Sequence, residues 1–268
     1  MKMIIADLDG TLVSKKEVTN ETKETIHALK QSGHLFTIAT GRHMDATKDM
    51  VDLFDVHLPV ICGNGSIIYD FDAQKIIHKQ TILDKTVLDI MSLCDLYKVD
   101  FLMYTTKDIV TTHEGYHKLS SKIGDFKVKV VNRKMLGDFI HLGVIKILVI
   151  DERDDVIEDM KKRLDIYKDL HYVQSQPTFL DIGHVLSTKG RALSLLAKHL
   201  CISLKDVIAI GDQENDISMI EAAGIGIAMG DGQEMLKKKA DYITSPFHEN
   251  GFTKAINDLL LAKKQRNT

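Results

Sequence analysis

Three short apolar runs in this chain end in the same way. "MIIA" gives way to "DLDGT" at 7–11, "LFTIA" to "TGR" at 40–42, and "VIAI" to "GDQEND" at 211–216. None alternates apolar with polar residues, so each suits a strand covered on both faces, the habit of parallel sheets. Between the first two lies a helix signature: Thr19 or Asn20 as cap, Ile26 and Leu29 on one face, Gly33 as the stop. Another helix and then "LPVICGNG" follow. This β-α-β-α-β order predicts a parallel sheet with right-handed crossovers. "GNG" before "SIIYD" predicts a tight hairpin. The pattern returns late: "DVIAIGD" as strand, 213–223 as helix ended by Gly224, "GIGIAMG" as strand, "MLKKKA" as helix, "DYITS" as short strand, and a helix over 250–263.

Residues 83–182 read differently. "DFLMYT", "DIVTTH", "KVKVVN", "IKILVID", "LHYVQ" and "TFLDI" are strands that pair locally, with one helix at about 152–165. The run "DERDDVIEDMKKR" is that helix's solvated face. The expectation is an α/β chain: a parallel-sheet domain made of 1–82 and 183–268, with an α+β unit inserted over 83–182.

Composition narrows the function. A chain of 268 residues, 44% hydrophobic, supports a real core in one or two domains. A net charge of -3 and a pI near 6.5 call for neither a polyanionic partner nor a membrane surface. Cys62, Cys94 and Cys201 are odd in number and widely spaced, which argues against a disulfide framework and fits a reducing cytosol. The first apolar run breaks at Asp7, too soon for a signal peptide, and no stretch has the length of a membrane span. A cytoplasmic protein without nucleic-acid, membrane or obligate protein partner is expected.

The chemistry gathers where the runs end. Charges such as Asp7 and Asp9 at the end of an apolar strand cost free energy unless compensated. Positions i and i+2 of a strand share a face, and Gly10 lets the backbone turn close to a ligand. Paired carboxylates suit Mg2+, and one of them could be a nucleophile while the other trades protons. A plain surface turn is the alternative. Thr40 and Gly41 offer a hydroxyl and backbone N–H groups to phosphate oxygens, or simply cap a helix. Lys189 opens the helix "KGRALSLLAKHL", where a cation opposes the helix dipole and is sensible if it faces an anion. Asp212 is a natural third oxygen ligand, with Asn215 and Asp216 near one helix face. All these positions fall at carboxyl ends of predicted parallel strands or at helix starts, where open α/β sheets bind ligands.

In this order, "DLDGT", "ATGR", the lysine of "STKG" and "GDQEND" resemble the haloacid dehalogenase-like hydrolases; "ICGNGSIIYD", "FLDI" and the long insert are similar to the Cof-type subfamily. The resemblance implies a Rossmann-like core, helices on both faces, with a C2-type α/β cap that excludes water and sets the substrate. It implies Mg2+-dependent hydrolysis of small-molecule phosphate esters, such as sugar or cofactor phosphates, through an aspartyl-phosphate. Carried over, Asp7 is nucleophile and metal ligand. Asp9 is the general acid/base, with its backbone carbonyl on the metal. Leu8, through its N–H, Thr40, Gly41, Lys189 and Asn215 hold the phosphoryl group. Asp212 ligates Mg2+, and Asp216 and Arg42 support the site. One departure stands before Lys189, where "VLST" replaces the family's frequent glycine and small apolar residue.

Two other readings share the features: a phosphotransferase of the phosphohexomutase kind, and a non-enzymatic phospho-acceptor module. "HEGYH" at 113–117 matches a zinc-protease pattern but is read as a polar loop or helix start. His43, beside the site, is read as incidental.

Overall fold

The computed structural model describes residues 1–14, 17–119, 127–176 and 178–261. The chain forms two compact units, Met1–His78 with Thr188–Thr268, and Lys79–Ser187.

The first unit begins with β1 (Met3–Ala6), whose four side chains are fully buried. Burying an aliphatic side chain of this size contributes about 1.5–3 kcal/mol, so such a strand belongs in the middle of a sheet. Helix α1 (Asn20–Gln31) follows; Thr19 Oγ1 accepts the Thr22 N–H at 3.2 Å, and Ile26 and Leu29 are buried. Next come β2 (Leu35–Ile38), α2 (Lys48–Leu53) and β3 (Val60–Cys62). Here the simple alternation breaks. β3 touches the β2 side by a single bridge, Ala39 to Ile61, then turns through residues 63–66 and pairs antiparallel with β4 (Ile67–Asp70), itself beside β5 (Lys75–Lys79). The predicted hairpin is present, but it draws β3 into a separate three-stranded sheet.

The second unit holds α3 (Asp84–Tyr97), β6 (Asp100–Thr105), β7 (Ile109–Thr112), α4 (His113–Leu119), β8 (Val128–Val131), β9 (Val144–Ile150), α5 (Asp154–Leu164), β10 (Leu170–Gln176) and β11 (Phe179–His184). Its sheet runs β10-β11-β9-β6-β7-β8, antiparallel except for β7 with β8. Helix α3 is absent from the sequence reading, although Val87, Ile90 and Cys94 at i, i+3 and i+7 form a buried stripe. A 3-10 stretch, Arg133–Leu142, was likewise not expected. Val156, Ile157, Met160 and Leu164 of α5 face the core, with acids in its first turn and bases in its last, as the helix dipole favours. The "HEGYH" stretch opens α4, and the rings of His113 and His117 lie 4.7 Å apart.

The chain then returns to the first unit with α6 (Lys189–His199), β12 (Val207–Gly211), α7 (Ile217–Ala222), β13 (Ile225–Ala228), α8 (Glu234–Lys237), β14 (Tyr242–Ile243) and α9 (Gly251–Ile256). The helix expected over 213–223 is shorter, because 214–216 form a 3-10 turn. The helix expected over 250–263 runs as α9, continues in π-helical form to Leu261, and leaves its last two positions outside the described residues.

The parallel sheet has the order β14-β13-β12-β1-β2. Met3 and Ile5 pack with Leu193 and Leu196 of α6 and with Met219 and Ile220 of α7. On the other face Ile4 is in register with Phe36, whose ring meets Phe54 and Phe252 edge-on at 6.3 Å. The order reverses at β1: β2 lies on one side, and the late strands lie on the other. Such a switch point leaves a crevice at the carboxyl ends of the strands. Asp7, Thr40 and Asp212 follow immediately. Among the described residues no helix is long and apolar enough to cross a membrane.

Candidate active site

Strand register brings the acids together. Ala6 is opposite Ile210, and the Asp7 N–H donates to the Ile210 carbonyl at 2.9 Å, so Asp7 and Asp212 leave adjacent strands at one level. The positive dihedral of Gly10 (φ +95°) then folds the loop back against Asp212. A Cβ on Gly10 would stand 2.2 Å from Asp212 Oδ2, so only glycine fits.

Lys189 enters from the start of α6. Its neighbour Thr188 caps that helix by accepting the Arg191 N–H, so "VLST" makes a competent helix start. Lys189 is fully buried, and its Nζ donates to Asp7 Oδ1 and Asp216 Oδ1, each at 2.6 Å. The other Asp216 oxygen accepts the N–H groups of Asp212 and Gln213 at 3.0 and 3.1 Å. Asp216 is thereby a bracket that ties Lys189 to the end of β12.

Asp7, Asp212 and Asp216 each place a carboxylate oxygen within 4.8 Å of the others. Three buried acids thus share one buried cation. Burial raises Asp7 well above the ordinary carboxylate range despite the pull of Lys189, and pushes Asp212 up to about 6. Burial alone would lower Lys189, but Asp216 and Asp7 outweigh it and hold it charged. The donor set is all oxygen and short of positive charge, which fits Mg2+. With Asp216 already accepting three hydrogen bonds, Asp7 and Asp212 are the oxygens better disposed towards an ion.

Asp9 goes elsewhere. Its carboxylate accepts from Arg42 at Nε (2.8 Å) and Nη2 (2.5 Å), and its side chain is 59% exposed. Strand alternation, which predicted one direction for Asp7 and Asp9, ends at Ala6 and does not govern the turn. Thr40 is buried at the end of β2, and its Oγ1 accepts the Arg42 N–H at 3.1 Å. Gly41 lies against Asn64, and Asn215 donates to Asn64 Oδ1 at 2.9 Å. Leu8 is fully buried, with its carbonyl accepting from Leu12 and Val13. His43 is also buried, its Nδ1 accepting from the Asp45 N–H.

Two residues were missed. Thr11 Oγ1 donates to Asp212 Oδ1 at 3.1 Å, and Gln213 Nε2 to Asp212 Oδ2 at 2.7 Å. Gln213 in turn accepts from Gln233 at 2.8 Å. Together they fix the rotamer of Asp212. Thr11 lies in "DLDGT" and Gln213 in "GDQEND", but only folding brings them against Asp212.

Residues 4–256 match the family of haloacid dehalogenase-like hydrolases. The 5-amino-6-(5-phospho-D-ribitylamino)uracil phosphatase YwtE of Bacillus subtilis is 31% identical over 288 residues, covering 97% of this chain and 98% of the relative. A solved haloacid dehalogenase-like hydrolase from Bacteroides thetaiotaomicron superposes with a TM-score of 0.85 at 27% identity, over 97% of this chain and 99% of that one. A HAD subclass IIB sugar phosphatase gives a TM-score of 0.80 at 25% identity, over 96% and 98%. The chain belongs to the haloacid dehalogenase-like hydrolases. Within that family it is an enzyme of the phosphatase kind, a phosphoric monoester hydrolase.

Proposed function

We propose that this enzyme hydrolyses phosphate monoesters of small metabolites, sugar or cofactor phosphates, through an aspartyl-phosphate on Asp7 with Mg2+ as cofactor. One observation carries the reading: Lys189 is buried between Asp7 and Asp216, with Asp212 beside them. The names of the ribitylaminouracil phosphatase and the sugar phosphatase support the substrate class.

Asp7 and Asp212, with the Asp9 backbone carbonyl, would hold Mg2+, which when bound offsets charge on the phosphoryl oxygens. Lys189 orients Asp7 and stabilises charge that develops on the transferring group. The Thr40 hydroxyl, the N–H groups of Leu8 and Gly41, and the Asn215 amide bind the remaining phosphoryl oxygens. An Asp7 oxygen attacks phosphorus in line, the bond to the leaving group breaks, and Asp9 passes a proton to the departing alkoxide. Asp9 then takes a proton from water, whose oxygen bonds to phosphorus as the Asp7–phosphorus bond breaks. Inorganic phosphate and the Asp7 carboxylate are restored. Since Asp9 here accepts from Arg42, that pair must open for the proton transfer. The unit Lys79–Ser187 is proposed as the cap that selects the leaving group and excludes water. A reducing cytoplasm suits the three free thiols.

The test is Asp7→Asn. Mg2+-dependent release of phosphate from p-nitrophenyl phosphate should fall by at least about a thousandfold. Turnover near the wild-type rate would overturn the assignment.

A further inference from the structure

The turn Gly63–Gly65 has no part in the roles above, yet it touches three of the loops that do. The Gly63 N–H donates to the Arg42 carbonyl at 2.9 Å, and the Asn64 N–H to the Thr40 carbonyl at 3.0 Å. Gly65 lies so close to the start of α6 that a Cβ there would be 2.2 Å from the Thr188 carbonyl oxygen and 3.1 Å from the Lys189 nitrogen. The Asn64 side chain closes the set by accepting from Asn215 Nδ2 at 2.9 Å, 151 residues away in the chain. On its near side is Gly41, where a Cβ would stand 2.9 Å from Asn64 Oδ1.

Asn64 is held in the left-handed region, φ 57° and ψ 27°. Asparagine tolerates this conformation better than most side chains, and it holds the amide where it meets Asn215. Asn215 is exposed and would otherwise sample several rotamers. One of its two amide hydrogens is taken by Asn64, which aims the other. An amide fixed before the ligand arrives binds it without the ordering cost.

We propose that Asn64 is a positioning residue for the phosphoryl group: its side-chain oxygen, lying against Gly41, sets the Asn215 amide, while its backbone N–H ties that amide to the Thr40 carbonyl. This rests on the phosphatase reading, in which Thr40, Gly41 and Asn215 bind phosphate.

The experiment is a double-mutant cycle with Asn64→Gly, which tolerates the same backbone dihedrals, Asn215→Ala, and both together. With p-nitrophenyl phosphate and Mg2+, KM, kcat and the inhibition constant of inorganic phosphate are measured, and thermal melting monitors the fold. Asn64→Gly should raise KM and the inhibition constant roughly three- to tenfold, the size of one neutral hydrogen bond, with kcat within about twofold. The double variant should be no worse than Asn215→Ala. Wild-type KM and inhibition constant in Asn64→Gly, or losses that multiply in the double variant, would overturn the proposal. Asp7→Asn separates the two readings. If it turns over normally, the phosphatase mechanism fails. If it is inactive while Asn64→Gly behaves as wild type, only the role of Asn64 fails.

Discussion

Lys189 Nζ lies 2.6 Å from Asp7 Oδ1, although 182 residues separate the two in the chain. Lys189 is fully buried and Asp7 nearly so. Removing one partner of such a pair leaves uncompensated buried charge, at a cost of about 3–5 kcal/mol. Lys189→Met is therefore predicted to lose that much stability in urea at pH 7 without Mg2+, and at least about a hundredfold in activity. Adding Asp216→Asn should recover part of the stability but not the activity. Equal urea midpoints for Lys189→Met and wild type would contradict this account.

The acids also set a pH dependence for the metal-free protein. Asp212 is pushed up to about 6, so its proton is bound more tightly in the folded than in the unfolded chain, where it titrates near 3.9. Its stabilising contribution is complete below about pH 4 and is lost as pH rises through 6. In EDTA, wild type should lose up to ~3 kcal/mol relative to Asp212→Asn between pH 4 and pH 7. Mg2+ should raise the melting temperature strongly at pH 7.5 and weakly at pH 5, where protons compete for the same oxygens. A wild-type-minus-variant difference that is flat with pH would exclude the raised Asp212.

Gly10→Ala is expected to act on metal binding. The added methyl would meet Asp212 Oδ2 at 2.2 Å, in a backbone conformation at φ +95° that alanine disfavours. Titration of Mg2+ against melting temperature should show a tenfold or greater loss of affinity, with circular dichroism retained. Unchanged affinity would mean that the loop carrying Asp9 does not set the position of Asp212.

The three thiols should separate by reactivity. Cys62 and Cys94 are buried, and burial pushes both up to about 12. Cys201 is exposed, in a left-handed turn after α6. Native protein should react rapidly with one equivalent of a disulfide reagent, none after Cys201→Ser, and three equivalents in denaturant. Rapid labelling of Cys201→Ser would show that one of the buried sites opens.

How far the amino-acid order reveals this molecule depends on the range of each interaction. The strands at 3–6, 35–38 and 207–211 are legible because apolar runs without alternation, broken only by Thr37, need cover on both faces, and that alone places Asp7 and Asp212 at one edge of a sheet. Lys189 is legible because a cation is out of place at a helix start unless an anion faces it. Helix α3 is not: a polar residue, Thr86, is buried with its apolar stripe, while Leu88 and Leu96 sit on its exposed side and blur the periodicity. Nor is the departure of β3, which depends on its competition between β2 and β4. The direction of Asp9 and the contacts of Thr11, Gln213 and Asn64 are also hidden, because each is a meeting of loops whose proximity exists only after the sheet has formed.

The abutment of Gly65 on Thr188 has a further consequence. It fastens the point where the polypeptide re-enters the parallel-sheet unit by a contact belonging wholly to that unit, just before the lysine on which the acids depend. The contact that holds the start of α6 therefore owes nothing to the segment spliced in from 79 to 187, and the placement of Lys189 is left to the parallel-sheet unit itself.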